Sequence, residues 1–320
     1  MILGREKPTL EDFGDVFAPE EAAEPILAAP VREALTDWLT EIWAEKELAE
    51  VALSPRRRAL FDGPPGVGKT TLAHHLAARL GLAMVAVRPD RIIEKWLGSS
   101  AQNLGALFDC AAAAEKANEP VVLFFDEFDA IAQKRVANAI NAQNEKNAVV
   151  NSLLQFMDRH KGFIIAATNH GDQIDQAVWR RFEIQISLAA PGPFERARIM
   201  ERYLAPYRLA ERPLAELSEA MATASPALMR AFCESLKRQL IVGPRAGWTM
   251  DKRAVINRLL TAIEPHPDLG KPRLWSHGVN DAAVAALPWP LSTDAPPAED
   301  AAPVEDAKVI ALRPGKGGAA

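Results

Sequence analysis

One glycine-rich segment of eight residues constrains the fold of this chain more than any other feature. Residues 63–70 read Gly-Pro-Pro-Gly-Val-Gly-Lys-Thr, which matches the pattern G-x-x-x-x-G-K-[ST]. A short strand is predicted before the segment at 58–61, and a helix after it at 70–80. Glycines let backbone N–H groups curl around phosphate oxygens, and the N-terminus of the following helix adds positive potential. The segment therefore predicts a phosphate-binding loop.

The chemistry of each loop position follows from its residue type. The lysine is expected to reach the β- and γ-phosphates of a nucleotide, and the first threonine is expected to ligate Mg²⁺ through its hydroxyl. The residues expected to contact the nucleotide are Gly63, Pro64, Pro65, Gly66, Val67, Gly68, Lys69, Thr70 and Thr71.

Two acidic residues follow the most apolar run of the chain. Residues 121–125 are apolar throughout, which predicts a strand buried on both faces in the centre of a parallel sheet. Asp126, at the end of that strand, is expected to hold Mg²⁺ together with Thr70. Glu127 points in a different direction and is expected to polarise the attacking water as a general base. These residues indicate a Mg²⁺-dependent ATP hydrolase, whereas Asp129 is interpreted as a helix cap.

The order of elements predicts a doubly wound α/β sheet followed by a smaller all-helical domain. Further strands are expected at 82–87, 163–167 and 183–188, with helices between them, and such alternation is typical of a parallel sheet. Beyond residue 193 only helical patterns remain. The expected domains are a linker at 1–30, an ATP-binding domain at 31–192, a helical lid at 193–264 and a largely disordered Pro/Ala-rich tail at 265–320.

The amino-acid composition limits the classes of binding partner and the cellular compartment that are expected for this chain. A net charge of −5 argues against a general nucleic-acid coat, which needs a basic surface. With only two cysteines, the chain has no disulfide framework, which favours a reducing, cytoplasmic location. No apolar run approaches the ~18 residues of a membrane helix, and the N-terminus lacks a signal-peptide core, so no membrane association is expected.

The order of these motifs resembles that of the AAA ATPases. Residues 63–70, 124–131, 167–169 and 179–183 follow the family's sequence of motifs, and the resemblance covers about residues 10–242. Within the family, the chain is similar to the classical AAA subgroup, near prokaryotic and phage-type single-ring members. The resemblance implies a P-loop NTPase fold with a helical lid, and ATP and Mg²⁺ as its ligands.

The resemblance also implies roles for residues outside the two main motifs. Asn169 corresponds to the first sensor, whose amide contacts the γ-phosphate or the lytic water. Arg180 and Arg181 correspond to the arginine finger that completes a neighbouring subunit's site, with Arg181 favoured. Further positions are a pore loop that would grip substrate, a second-sensor position and an adenine-pocket segment: Lys95, Trp96 and Leu97; Ala227; Asp15 and Val16.

From these features we expect a ring-forming motor that remodels or unfolds protein substrates. The ring is expected to be a hexamer. An arginine supplied in trans requires a neighbour at every site, and a repeated heterologous contact closes into a ring. One alternative is a loader acting on nucleic acid, which the acidic charge and the single basic residue Lys95 in the pore loop disfavour. The other is a nucleotide-gated switch that acts on a partner effector without threading it.

Overall fold

The protein is described by a computed structural model that covers residues 8–93, 99–135 and 142–294 of the chain. The strands found there form one six-stranded sheet in the spatial order β1-β3-β4-β5-β2-β6. Every pairing is parallel except that of β1 with β3. The strands are β1 (Gly14–Phe17), β2 (Arg58–Asp62), β3 (Ala83–Val87), β4 (Val121–Phe125), β5 (Phe163–Thr168) and β6 (Ile184–Ser187).

Helices cover both faces of this sheet, which confirms the predicted doubly wound α/β fold. Alternate residues of β4 enter different cores: Leu123 and Phe125 pack on one face, Val122 and Phe124 on the other. Side chains alternate between the faces of a strand, so an uninterrupted apolar run marks a strand covered on both sides. The helices up to β6 are α1 (Ala29–Trp43), α2 (Glu45–Glu50), α3 (Lys69–Arg79), α4 (Pro89–Ile92), α5 (Ser99–Lys116), α6 (Ala142–Arg159) and α7 (Gln176–Trp179).

Strand order brings the predicted motifs together. β5 lies between β4 and β2, and all three run parallel. The carboxyl ends of the three strands therefore share one edge of the sheet, where ligands bind in open α/β folds. The glycine-rich loop follows β2, Asp126 and Glu127 follow β4, and Asn169 follows β5.

The segment expected to be a linker at 1–30 contributes an edge strand to the sheet. Residues of β1 pair antiparallel with β3 over Gly14 to Phe17. A Cβ atom at Gly14 would lie 2.1 Å from the carbonyl oxygen of Ala86, so only glycine allows this close approach. Four residues with two of them exposed carry little apolar periodicity, which is why the sequence pattern does not reveal the strand.

Beyond the sheet, the four helices expected after residue 193 are present: α8 (Pro193–Leu204), α9 (Glu211–Ala220), α10 (Pro226–Val242) and α11 (Lys252–Ala262). The helix α10 buries Met229, Phe232, Cys233 and Leu236 completely. Their spacing of three, four and seven residues places them on one helical face. This helical part has its own apolar core, separate from the two cores of the sheet.

The packed structure continues past residue 264 as far as Ser292, which pairs with Arg208, so the expectation of a largely disordered tail from 265 onward is wrong for residues 265–292. Two further helices, α12 (Arg273–His277) and α13 (Ala282–Ala286), bury apolar side chains in the helical core. The indole Nε1 of Trp275 donates to the Ile263 carbonyl at 2.7 Å, and that of Trp289 donates to Met250 at 2.9 Å. Prolines and alanines dilute the apolar residues here, and short helices give weak periodicity. Residues 295–320 lie outside the described part of the chain.

Across residues 8–93, 99–135 and 142–294, the structure has no helix that combines the length and the apolar character needed to cross a bilayer.

Candidate nucleotide-binding site

The glycine-rich loop between β2 and α3 adopts a backbone conformation that its glycines make possible. Gly63 has a φ of 152°, and a Cβ atom there would lie 2.2 Å from the carbonyl oxygen of Leu188. Gly66 and Gly68 also have positive φ angles, of 76° and 100°. Because α3 begins at Lys69, the loop ends at the N-terminus of an eleven-residue helix. The first N–H groups of a helix have no carbonyl partner within it, so they can donate to an anion.

Lys69 lies at the centre of the site with an almost fully buried side chain. Its Nζ atom donates to the carbonyl oxygens of Gly63 at 2.6 Å and Pro64 at 2.9 Å, and to Oδ1 of Asn169 at 2.6 Å. Burial lowers the pKa of the Lys69 ammonium, and nearby carboxylates, chiefly that of Asp126, oppose this shift. An ammonium already surrounded by oxygen acceptors is suited to exchange some of them for phosphate oxygens.

Thr70 and Asp126 lie together at the mouth of the loop. The Thr70 hydroxyl donates to Oδ2 of Asp126 at 2.8 Å, and the backbone N–H of Glu127 donates to Oδ1 at 2.9 Å. A hydroxyl beside a carboxylate is a pair of oxygen donors of the kind that Mg²⁺ accepts alongside substrate phosphates. The residues present therefore fit a Mg²⁺ ion bound with a nucleotide.

Glu127 has an unusual backbone directly after β4. Its φ of 47° and ψ of 44° lie in the left-handed region. A non-glycine residue there costs on the order of 1–3 kcal/mol, and such strain concentrates at functional sites. The side chain of Glu127 is exposed, and no hydrogen bond to it is found in the part of the chain that the structure describes. It is available to a water molecule or a substrate.

The two arginines expected as fingers have different surroundings. Arg181 makes a two-pronged ion pair with Asp158, from Nε at 3.1 Å and Nη2 at 3.0 Å, and its Nη1 donates to the Ala177 carbonyl. The side chain of Arg180 is exposed, and within the described residues nothing pairs with its guanidinium. Of these two arginines, Arg180 is the one whose guanidinium is left unengaged by the described residues and can meet another molecule.

A contact joins the loop to the helical part. The backbone N–H of Ala227, in the first turn of α10, donates to the Gly66 carbonyl at 3.2 Å. A Cβ at Gly66 would lie 3.0 Å from that of Ala227 and 3.1 Å from Oγ of Ser225. The expected second-sensor position thus lies against the loop, whereas Arg230 pairs with Glu234 at the surface.

A small pocket lies beside the start of α3. Its lining includes Phe17, Thr70, Thr71 and His74, and Nε2 of His74 donates to the Ala18 carbonyl at 2.9 Å. Asp15 and Val16, expected near the adenine, belong to the same strand as Phe17 but do not line the pocket. The expected pore loop, Lys95, Trp96 and Leu97, lies outside the described residues.

Two side-chain contacts between distant segments, Arg135 with Asp175 and Thr168 with Asp129, are not evident from the motifs. Arg135 donates to Oδ2 of Asp175 at 2.9 Å, and the Asp175 side chain also caps α7. Burial raises the pKa of Asp175, but hydrogen bonds from Arg135 and the Ala177 N–H outweigh it and hold that pKa below its usual value. Asp129, interpreted as a cap, instead accepts a hydrogen bond from Thr168 at 2.7 Å. Only the spatial pairing of segments about 40 residues apart reveals these contacts.

Comparisons with known proteins relate this chain to a family of ATPases. Residues 59–190 match the family model described as "ATPase family associated with various cellular activities (AAA)". The chain is 43% identical over 176 residues to "Uncharacterized AAA family ATPase y4kL" of Sinorhizobium fredii, covering 54% of this chain and 51% of that protein. It is 36% identical over 178 residues to "Putative ribosome biogenesis ATPase nvl" of Dictyostelium discoideum, covering 53% of this chain and 20% of that protein. The match thus spans about half the length of the first relative and a fifth of the second.

Proposed function

We propose that this chain hydrolyses ATP at the edge of the sheet where β2, β4 and β5 end, because its residues 59–190 match the family model of the AAA ATPases. The observation that carries this proposal is the cluster around Lys69. One buried ammonium contacts the glycine-rich loop and Asn169, while Thr70 beside it contacts Asp126. Three separate motifs of the sequence therefore meet within hydrogen-bond distance.

The loop and Lys69 bind the phosphates in this account. Backbone N–H groups at the start of α3 and the Lys69 ammonium provide positive charge where phosphate charge accumulates. Thr70 and Asp126 would hold Mg²⁺, which when bound neutralises charge on the β- and γ-phosphate oxygens. The hydrogen bonds that Lys69 makes within the chain keep its side chain in place before the nucleotide arrives.

Glu127 and Asn169 act on the attacking water. Glu127 is the general base, since it is exposed, next to Asp126, and held in a strained turn. Asn169 lies next to Lys69 Nζ, where its amide can orient the water or contact the γ-phosphate. A general base of this kind contributes about 10²–10⁴ in rate.

We assign the finger role to Arg180 and a supporting role to Arg181. Arg181 is engaged by Asp158 and by a carbonyl of its own helix, whereas the Arg180 side chain is exposed. An arginine that meets the γ-phosphate from a neighbouring copy is worth about 10³–10⁵ in turnover. The active unit would then be a ring, with a hexamer as the expected size.

The output that we propose for this cycle is work on a protein partner. The support is the resemblance of residues 95–97 to a loop that lines the central channel of such rings, together with the contact between Ala227 and the phosphate-binding loop. That contact gives the helical part a direct response to events at the nucleotide.

The test of hydrolysis compares two variants of the same site. Glu127→Gln keeps Lys69, Thr70 and Asp126, so it should bind ATP with near wild-type affinity but release phosphate at least about 10²-fold more slowly. Lys69→Ala should instead lose nucleotide affinity. Phosphate release and binding of a fluorescent ATP analogue measure the two effects separately. Wild-type phosphate release by Glu127→Gln would exclude Glu127 as the base.

A further inference from the structure

The hydroxyl of Thr168 makes two hydrogen bonds at the end of β5. Thr168 is 1% exposed, and its Oγ1 donates to Oδ1 of Asp129 at 2.7 Å. The same oxygen accepts a hydrogen bond from the backbone N–H of His170 at 2.9 Å. A single hydroxyl therefore holds the residue before Asn169 and the residue after it.

This arrangement fixes the backbone from which the Asn169 side chain projects. Asn169 reaches Lys69 Nζ at 2.6 Å, so a small rotation of its backbone would move its amide out of the site. The partner carboxylate belongs to the short 3₁₀ turn Phe128–Ala130, which comes directly after Glu127. Phe128 is fully buried and anchors that turn in the core. The hydrogen bond between Thr168 and Asp129 thus connects the turn after Glu127 to the turn that carries Asn169.

The hydrogen bond between Thr168 and Asp129 is of a strong type. A hydrogen bond from a hydroxyl to a carboxylate is charge-assisted, and these are shorter and stronger than bonds between neutral groups. Thr168 has the β-branched shape that suits a strand, and valine would fill the same volume. Packing alone therefore does not require the hydroxyl. A valine at this position would, however, leave Asp129 and the His170 N–H without this hydrogen-bond partner.

We propose that Asp129 and Thr168 are positioning residues for the Asn169 amide, so that the turn after Glu127 sets the orientation of the residue that senses the phosphate. The inference rests on the proposed role of Asn169 in ATP hydrolysis. Neither Asp129 nor Thr168 needs to touch the nucleotide for this role. Their effect should therefore appear in turnover and not in nucleotide affinity.

Turnover and nucleotide affinity of Thr168→Val provide the test, with Thr168→Ser as the matched control. A misplacement of about 1 Å can cost about 10²-fold in rate, so we expect Thr168→Val to lose about 10- to 100-fold in kcat. Affinity for a fluorescent ATP analogue should stay within about twofold of wild type, because the loop and Lys69 are intact. Thr168→Ser keeps the hydroxyl and should recover most of the turnover.

A double variant separates positioning from a general structural role. If Thr168 acts through Asn169, then Thr168→Val combined with Asn169→Ala should turn over no more slowly than Asn169→Ala alone. Asp129→Ala removes the acceptor of the same hydrogen bond and should lower kcat by the same factor as Thr168→Val. This second variant keeps the test informative if Thr168→Val folds poorly.

Three results would overturn the inference in distinguishable ways. Wild-type kcat in Thr168→Val and Asp129→Ala, with a slow Asn169→Ala, would overturn the positioning role alone. Losses that multiply in the double variant would show that Thr168 acts independently of Asn169. Wild-type kcat in Asn169→Ala would overturn the proposed role of Asn169 and this inference with it.

Discussion

At the scale of single residues, the buried side chain of Lys69 and the partly buried side chain of His160 have opposite surroundings. Lys69 donates three hydrogen bonds, which fix the position of its ammonium. His160, by contrast, packs edge-on against Phe108 with a ring-centroid separation of 5.4 Å, and its Nε2 atom is buried without a partner among the described residues. Burial lowers the pKa of His160, with a smaller contribution from Arg58, and Glu115 opposes the shift. The folded protein therefore favours the neutral imidazole.

This imidazole should make the free energy of unfolding depend on pH. As pH falls below about 6.5, the ordinary histidine pKa, the unfolded chain takes up a proton that folded His160 resists. Stability is then lost on acidification. We expect His160→Phe to lose less stability between about pH 7 and pH 5 than the wild type, measured by denaturant unfolding. Some dependence should remain, because burial also lowers the pKa of His75.

The wild type, unfolded with denaturant at the same pH values, is the control for this measurement. An unchanged pH dependence in His160→Phe would contradict the assignment of a buried neutral imidazole.

Residue identities at the site were predictable from sequence because motif chemistry is local. Lys69, Thr70 and Asp126 are specified by their neighbours in the chain and by the strand that precedes each motif. The difference between Arg180 and Arg181 was not predictable, because it depends on Asp158, 23 residues away in α6. The same holds for Asp129, whose partner Thr168 is 39 residues away.

At the scale of elements, a short antiparallel contact holds the segment that leads to the arginines. The Asp175 N–H donates to the Ala132 carbonyl, and the Lys134 N–H donates to that of Gln173, both at 2.9 Å. The Arg135–Asp175 ion pair reinforces this contact at the first turn of α7. The residues after Asp129 and the helix before Arg180 therefore behave as one connected element.

The elements after residue 264 contribute to stability. Leu274, Trp275, Val284, Leu287 and Leu291 are buried in the helical core. Fully burying a side chain of this size stabilises a fold by about 1.5–3 kcal/mol, so their combined removal should be severe. We expect a chain truncated after residue 264 to melt far below the full chain. A chain truncated after residue 294 keeps every one of these residues and should melt close to it.

A point variant tests the same core without removing any chain. Trp275→Ala should cost about 3–5 kcal/mol in unfolding free energy, as expected for a large aromatic side chain in a packed core. If the truncation after 264 and Trp275→Ala both melt like the full chain, then α12 and α13 do not belong to the stable core.

The central strands of the sheet were more predictable than the edge strand β1 and the short helices α12 and α13. All five residues of the strand at 121–125 are apolar, so its pattern is unambiguous. The edge strand β1 depends on Ala86 and its neighbours, and α12 and α13 depend on a core built by earlier helices. In elements this short, apolar residues mixed with small or polar ones give too few positions for a periodicity to be recognised.

At the scale of the whole molecule, the proposed function requires two copies of the chain at each nucleotide site. Under this proposal, one copy supplies Lys69, Asp126, Glu127 and Asn169, and the next supplies Arg180. The helical part touches the phosphate-binding loop through Ala227, and Arg196, buried in α8, bonds the carbonyls of Pro191 and Ser218. These contacts connect the loop to the helical part and to the segment that precedes it.

The measurement that tests this account most directly is the ATPase activity of mixed assemblies of Lys69→Ala and Arg180→Ala. Each protein alone should be nearly inactive, since the first lacks nucleotide binding and the second should lose about 10³-fold or more in turnover. In a randomly mixed ring, about a quarter of the sites combine an intact Lys69 with an intact Arg180 from the neighbour.

We therefore predict that mixing the two proteins restores about a quarter of the wild-type phosphate release. Mixing Arg180→Ala with a Lys69→Ala/Arg180→Ala double variant should restore none, because no intact Arg180 is present. Mass measurement of the mixture confirms that the two proteins have assembled together. Absence of recovery in a mixture that has co-assembled, or a chain that stays monomeric with and without ATP, would contradict a site shared between neighbouring copies.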